Sequence, residues 1–486
     1  MLNVLENLEP KRVFHYFEEL CAIPHGSGNE KAISDYCVAF AKSHDLWVRQ
    51  DEANNVIIRK PASLGYEKAP VLMIQGHMDM VCEKNSDVDF DFENEGLKLK
   101  VDGDIVSASG TTLGGDDGIA VAFALAILED KTLEHPELEV VLTTDEEVGM
   151  KGAHVLDVSD LKASYLLNLD NESEGQILTS CAGGMKSRAS FPVRFADWEG
   201  FGGKISISGL KGGHSGAEIH CGRANANRLL GRLLFELSKE LNVGVRSLNG
   251  GMKDNAIPRE AEAEIVIRPE DKESFIEICH DFIDAIRDEF AVADPDIRIE
   301  YQIDIEKEKT FTIFNPTDME RILFMYVQSI NGIQTMSMEL PGLVESSLNL
   351  GIVRTEEDKV IFSWAVRSSK KSLKYYISDQ LAYMVEFLGG TYWYEGEYPQ
   401  WAYRSESPIR NLVADTYKEL FGKEAKIEAI HAGLECGLIS EKMPELDIVA
   451  IGPDIMDIHT PDEHLSVASV ERSYRLICEV LKRIKR

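Results

Sequence analysis

Residues 71–79 read Val-Leu-Met-Ile-Gln-Gly-His-Met-Asp. A short apolar run of this kind predicts a buried strand. The glycine permits a turn and close approach by another group, and His77 and Asp79 fall where the strand leaves its sheet. In open α/β sheets, ligands bind beyond the carboxyl ends of the strands. An imidazole placed there can ligate a metal through one ring nitrogen while a carboxylate holds the other and fixes the tautomer. A single His-x-Asp constrains little; recurrence constrains a great deal. Residues 138–144, 165–169 and 448–451 are further apolar strands, followed by Asp145-Glu146-Glu147, by Asp170, and by a loop carrying His459 and His464. Such strands alternate with helical stretches at 11–20, 30–43, 408–421 and 467–485, with Asn29 expected to cap the second helix. The pattern predicts an α/β domain, a mostly parallel sheet flanked by helices.

Residues 111–118, Thr-Thr-Leu-Gly-Gly-Asp-Asp-Gly, form a glycine-rich turn opening an apolar helix at 119–128. Acids at a helix amino terminus complement its dipole, which is reason enough for Asp117. The glycines around Asp116 imply that another group comes close to it. Three consecutive acids at 145–147 repel one another, and a cation would offset that repulsion.

The middle of the chain reads differently. Residues 204–208, 261–268 and 298–304 alternate as half-buried strands, and 222–241 and 272–290 are amphipathic helices. This is an α+β insertion over 185–390, interrupting a domain made of 1–184 and 391–486. A faint repeat predicts two similar subdomains: Asn255-Ala256-Ile257-Pro258 precedes a strand ending at Arg268, and Ser346-Ser347-Leu348-Asn349 precedes one ending at Arg367. Gly183-Gly184 and Gly389-Gly390 are the expected hinges.

A chain of 486 residues exceeds one core. Acidic residues outnumber basic ones 83 to 51, a net charge of -32, which excludes nucleic acid and anionic membrane surfaces as partners. No apolar run approaches membrane-spanning length, and the amino terminus shows no signal peptide. Eight scattered cysteines without a Cys-x-x-Cys pair suit a reduced, cytoplasmic protein.

His77, Asp116, Glu147, Asp170 and His459 all stand at strand ends or in the glycine turn. Two imidazoles and three carboxylates suit zinc, cobalt or manganese. Five ligands are too many for one open site but fit two ions if a carboxylate bridges them, a clamp suited to hydrolysis. Asp116, among glycines, is the best bridge. Glu146, beside a ligand, is the natural general base.

Together, His77-x-Asp79, Gly114-Gly115-Asp116-Asp117, Asp145-Glu146-Glu147-x-Gly149, Asn168-Leu169-Asp170 and His459-x-x-x-Glu463 resemble the dinuclear zinc peptidase family that includes glutamate carboxypeptidases, aminoacylases, tripeptidases (peptidase T) and carnosinases. Gly212-Gly213-His214-Ser215-Gly216, Asn255-Ala256-Ile257-Pro258-Arg259, Ser346-Ser347-Leu348-Asn349 and His431-Ala432-Gly433-Leu434-Glu435-Cys436-Gly437 resemble its aminoacyl-histidine (Xaa-His) dipeptidase branch. The resemblance implies two divalent ions, zinc foremost with cobalt or manganese as alternatives. His77 and Asp170 would hold one, Glu147 and His459 the other, with Asp116 bridging across a cis bond to Asp117. It implies that Asp79 holds His77 and that Glu146 is base and then acid. The insertion would be a lid closing over a short peptide substrate, where His214 stabilises the oxyanion and Asn255 and Arg367 hold the substrate carboxylate. His25, His431 and His464 are expected as loop histidines, and Glu435 and Glu463 as supports. A tripeptidase or N-acyl-amino-acid deacylase shares every metal motif, and a binding protein on the same scaffold is the non-enzymatic alternative. A homodimer is open to the chain, as is the question of whether His214 acts within its own chain or across a dimer.

Overall fold

The computed structural model describes residues 3–305 and 308–485; the first two residues of the amino-terminal stretch lie outside the described residues. The chain divides into two compact units. The first comprises Met1–Cys181, Trp401–Ala429 and Leu434–Arg486, the second Ala182–Gln400 and Ile430–Gly433. The changeovers fall slightly earlier than 185 and later than 390. A further excursion, at Ile430–Gly433, has no counterpart in the sequence pattern.

The first unit is built on an eight-stranded sheet in the order Trp47–Gln50, Val56–Lys60, Leu138–Thr143, Leu72–His77, Tyr165–Asn168, Asp447–Ala450, Gln176–Cys181, Lys426–Ile430. The four central strands, from Leu138–Thr143 to Asp447–Ala450, run parallel. The flanking pairs with assigned register are antiparallel. The parallel strands read as continuous apolar runs because both faces are covered. Helix Gly115–Glu129 is buried almost throughout, as expected of a helix apolar all round, and packs on both Leu72–His77 and helix Lys11–Cys21. Gly76 lies inside its strand and makes no turn. Close approach is its purpose: a Cβ there would stand 2.6 Å from Asp117 Oδ2 and 2.7 Å from Ala120 Cβ. Asn29 does not cap helix Lys31–Ser43. Glu30 takes that position, and its carboxylate accepts the Gly28 and Asp145 amides instead.

The second unit is one ten-stranded sheet made of two like halves. In the first half, Phe195–Ser208, Gly244–Gly250, Ala261–Ile267 and Arg298–Ile303 lie in the order four, one, three, two. Helices Ala226–Ser238 and Lys272–Glu289 follow its first and third strands. The second half repeats the order with Gly183–Pro192, Val344–Glu356, Lys359–Ser368 and Thr391–Tyr398, and with helices Pro316–Gln328 and Lys371–Phe387. Each half is a split β-α-β arrangement. The first half is inserted after the first strand of the second, and the two pair edge to edge at Gly250 and Val353. Edge pairing merges them into a single sheet whose helices share one core, so there are two halves but no separate subdomains. Arg268 directly follows the third strand of its half, and Arg367 sits near the end of the corresponding strand.

The glycine pairs lie in a strand and in a turn rather than in open linkers. Gly183 and Gly184 begin a strand, where Cβ atoms would meet Gln400 N at 2.6 Å and Tyr398 Oη at 2.5 Å. Gly389 and Gly390 turn the chain from helix to strand within the second unit. No described helix is long and apolar enough to cross a membrane.

Candidate functional site

His77 is the last residue of its parallel strand. The next two strands in the sheet, on either side, end at Thr143 and Asn168, so residues 145–147 and Asp170 emerge beside it. Asp116 comes from the turn opening helix Gly115–Glu129, and His459 from the loop after Asp447–Ala450. Asp145 and His459 have φ of 55° and 62°. Asp and His are among the few side chains that tolerate this left-handed region, and there the backbone turns the loops sharply. The Asp116–Asp117 peptide is cis.

Asp116 lies between two imidazoles. Its Oδ1 is 3.2 Å from His77 Nε2 and its Oδ2 is 3.1 Å from His459 Nε2, which is also 2.8 Å from Glu147 Oε1. Potential ligand atoms of His77, Asp116 and Asp170 converge, as do those of Asp116, Glu147 and His459. Asp116 belongs to both groups. A third set, His77, Glu146 and Glu147, puts Glu146 within the same reach.

His77 Nδ1 donates to the Asp79 carbonyl at 3.0 Å, with the Asp79 carboxylate 3.4 Å away. That fixes the tautomer and leaves Nε2 free. The Asp79 carboxylate also accepts the Glu146 and Glu147 amides at 2.9 and 3.2 Å and the Ser27 hydroxyl at 2.8 Å. One side chain thus ties His77 to the acidic turn. Burial pushes Asp79 up, but its bonds to His77 and the amides outweigh that and hold it at about 2. Asp117 is no helix cap: it accepts the His77 backbone amide at 3.1 Å.

Burial pushes the carboxyls of Glu146, Asp170 and Asp117 well above the usual range. Hydrogen bonds to Asp116 and Glu147 lift His459 to about 10. The carboxyl shifts express burial first and neighbouring carboxylates second, and the His459 shift expresses the negative charge around a side chain that is 44% exposed. The hard and borderline donors gathered here fit a divalent cation, which would offset that charge.

Several residues in this unit do more than the motif spacing indicates. The Glu463 carboxylate, 2% exposed, accepts the amides of Leu113, Gly114, Gly115 and Asp116 at 2.8, 3.2, 2.8 and 3.3 Å. It holds the turn that presents Asp116. His25 is a loop histidine bonded to the Ile23 carbonyl, and His464 likewise faces the Asp462 carbonyl.

The second unit carries its own polar cluster. Arg367 is 7% exposed, and among the described residues no carboxylate pairs with it. Its Nη1 donates to Tyr398 Oη at 2.8 Å, while Nε is buried without a partner. Its Nη2 lies 3.2 Å from His214 Nε2. His214 Nδ1 accepts the Ala217 amide at 3.0 Å, so the proton of the neutral ring sits on Nε2. Two donors therefore face each other, an arrangement that calls for an acceptor. His431, from the short excursion, stands 2.7 Å from Ser347 Oγ through Nε2 and has a partnerless buried Nδ1. Ser215 Oγ is also buried and unpartnered. Asn255 contributes its carbonyl to the Ser215 amide at 2.8 Å, and its side chain is exposed.

The chain belongs to the peptidase family M20/M25/M40, which residues 73–483 match. It is 37% identical to the cytosol non-specific dipeptidase of Escherichia coli K12, over 99% of each chain. The solved aminoacylhistidine dipeptidase of Vibrio alginolyticus superposes with a TM-score of 0.91 at 36% identity, covering 99% of this chain and 98% of that one. A tripeptidase from Staphylococcus aureus shares the fold at 16% identity, with a TM-score of 0.56 over 98% of this chain and 99% of its own.

Burial and then the Arg367 charge push His214 down to about 4 and His431 to about 3. An unfolded chain protonates histidine near pH 6.5, so below that pH it binds more protons than the folded one. These two rings therefore erode stability as pH falls from about 6.5 toward 4. Carbon-13 spectra of labelled histidine should show both rings neutral from pH 8 to 5. Titration of either near 6.5 would contradict this.

Proposed function

We propose that this chain is a dinuclear metallodipeptidase, zinc-dependent and cytosolic. On this reading it hydrolyses short peptides, Xaa-His dipeptides such as β-alanyl-histidine among them, over a broad dipeptide range. The observation that carries the reading is Asp116, shared by two converging donor groups with Glu146 beside them. The names of the two full-length relatives support the dipeptide substrate, and the first supports the cytosol. In the proposed assignment His77 and Asp170 hold one cation, Glu147 and His459 the other, and Asp116 both. Bound divalent cations supply Lewis acidity toward the scissile carbonyl and make water a nucleophile at neutral pH. Glu146 takes the proton of the attacking water and passes it to the leaving amine. Asp79 keeps His77 in the ligating tautomer and holds the Glu146 turn.

In the same reading His214, with its proton on Nε2, donates to the oxyanion. Arg367 binds the free carboxylate of the peptide, and Asn255 assists. The support is a buried guanidinium without a counter-ion among the described residues, costly to bury unless an anion joins it. Substrate class is tested by hydrolysis of matched dipeptides, tripeptides and N-acyl-amino acids by zinc-loaded protein. Preference for the acyl-amino acids would overturn the dipeptidase assignment.

Replacing Glu146 by Ala should leave cation content, by elemental analysis, near that of the parent and lower kcat by about 10²–10⁴-fold. Loss of an ion would make Glu146 a ligand instead. Arg367→Ala should raise KM for dipeptides by about 10–100-fold, the worth of a charge-assisted hydrogen bond present before and during reaction. A dipeptide amide should be a poor substrate of the parent and lose little more in the variant. Equal losses for acid and amide would remove Arg367 from carboxylate recognition.

A further inference from the structure

Beneath the donor groups runs a polar ladder that the hydrolytic reading does not use. Glu435 opens helix Glu435–Lys442 and is fully buried, at 0% exposure, as are Gln75, Thr143 and Asn168. Glu435 Oε2 accepts from Gln75 Nε2 at 2.5 Å and from Thr143 Oγ1 at 2.5 Å. Gln75 Oε1 accepts from Asn168 Nδ2 at 2.7 Å, and Asn168 Oδ1 takes the Asp170 amide at 3.4 Å. Gln75, Thr143 and Asn168 lie on three adjacent parallel strands. In register, Thr143 faces His77 and Asn168 faces Gln75. Each stands a few residues before a proposed ligand: Gln75 before His77, Thr143 before Glu147, Asn168 before Asp170.

We propose that Glu435 is a positioning residue, clamping through Gln75, Thr143 and Asn168 the three strand ends that carry His77, Glu147 and Asp170. Backbone pairing sets register along the strands but stops at their ends, where the loops begin. A side-chain network on the last rungs extends the constraint to those ends. Apolar side chains would fill the same volume at no electrostatic cost, and a fully buried carboxyl among amide and hydroxyl groups makes sense where a fixed arrangement is the need. Among the described residues its other oxygen, Oε1, is buried with no partner, so the hydrogen bonds of the carboxyl all run through Oε2 to Gln75 and Thr143. What the ladder requires of residue 435 is one acceptor for two donors. Glutamine supplies that; alanine does not.

The inference rests on the proposed ligand assignment, and zinc titration of the apoprotein separates the two. Apoprotein of the parent, Glu435→Ala, Glu435→Gln and Thr143→Val would be titrated with Zn²⁺ against a competing chelator, with folding checked by circular dichroism and urea melting. Loss of a group supporting metal ligands costs about 10–100-fold in metal affinity or activity, so Glu435→Ala should lose that much zinc affinity and kcat. Glu435→Gln should recover to within about threefold of the parent, because the acceptor is restored. Thr143→Val, which keeps shape and deletes one bond, should fall between, and it decides the matter if Glu435→Ala fails to fold. Lower urea stability with unchanged zinc affinity in Glu435→Ala and Thr143→Val would reduce Glu435 to core structure and overturn the proposal. So would Glu435→Gln as impaired as Glu435→Ala, which would mean that charge and not placement matters. A parent that takes up no zinc would overturn the ligand assignment itself.

Discussion

Carboxylates crowded at the carboxyl edge of a parallel sheet are the constraint around which the first unit is organised. Asp116, Glu146, Glu147 and Asp170 converge at a buried to half-buried edge, and among the described residues two imidazoles, His77 and His459, stand with them. Such an arrangement is stable only if something fixes the side chains and something positive answers their charge. The fixing is visible. Glu463 gathers four amides of the turn that presents Asp116, Asp79 gathers two of the turn that presents Glu146 and Glu147, and Asp117 ties helix Gly115–Glu129 to the strand of His77. Each is a buried carboxyl group accepting backbone N–H groups, which ties a loop or strand to the turn it serves.

Parallel strands explain why the donors come from such distant parts of the chain. Neighbouring parallel strands deliver their carboxyl ends to one edge, so residues 77, 147, 170 and 459 meet although hundreds of positions separate the first from the last. The same rule made them legible in the sequence: each follows an apolar run and is acidic or imidazole. What the pattern did not carry was every contact without a local period. Glu463 is 350 residues from Leu113; its motif marks it as a support, but which turn it holds is set only by the fold. Asp117 reads as a helix cap because caps are local, whereas its actual partner is a strand amide 40 residues away. At Gly76 the sequence predicts a turn and a close approach; the structure has the close approach, to Asp117 and Ala120, without the turn.

The inserted unit shows the limit from the other side. Alternating strands and amphipathic helices announced an α+β insertion, and the ends of the two corresponding strands, at Arg268 and Arg367, betrayed its halves. Their merger through one edge pairing was invisible, because strand order is a property of the sheet and not of any segment. The excursion at Ile430–Gly433, which gives the second unit His431, was equally invisible. With it comes a cluster in which Arg367 has no counter-ion among the described residues and His214 offers a proton toward it. That cluster is defined by donors, just as the first is defined by acceptors.

The central claim is that Asp116 is the shared anion of two cations. The direct measurement is calorimetric titration of the apoprotein with Zn²⁺, run on the parent and on Asp116→Ala under the same conditions. The account predicts two ions per chain in the parent and the loss of at least one in the variant, since two cations repel each other without an anion between them. A fully active parent holding a single ion per chain would contradict it.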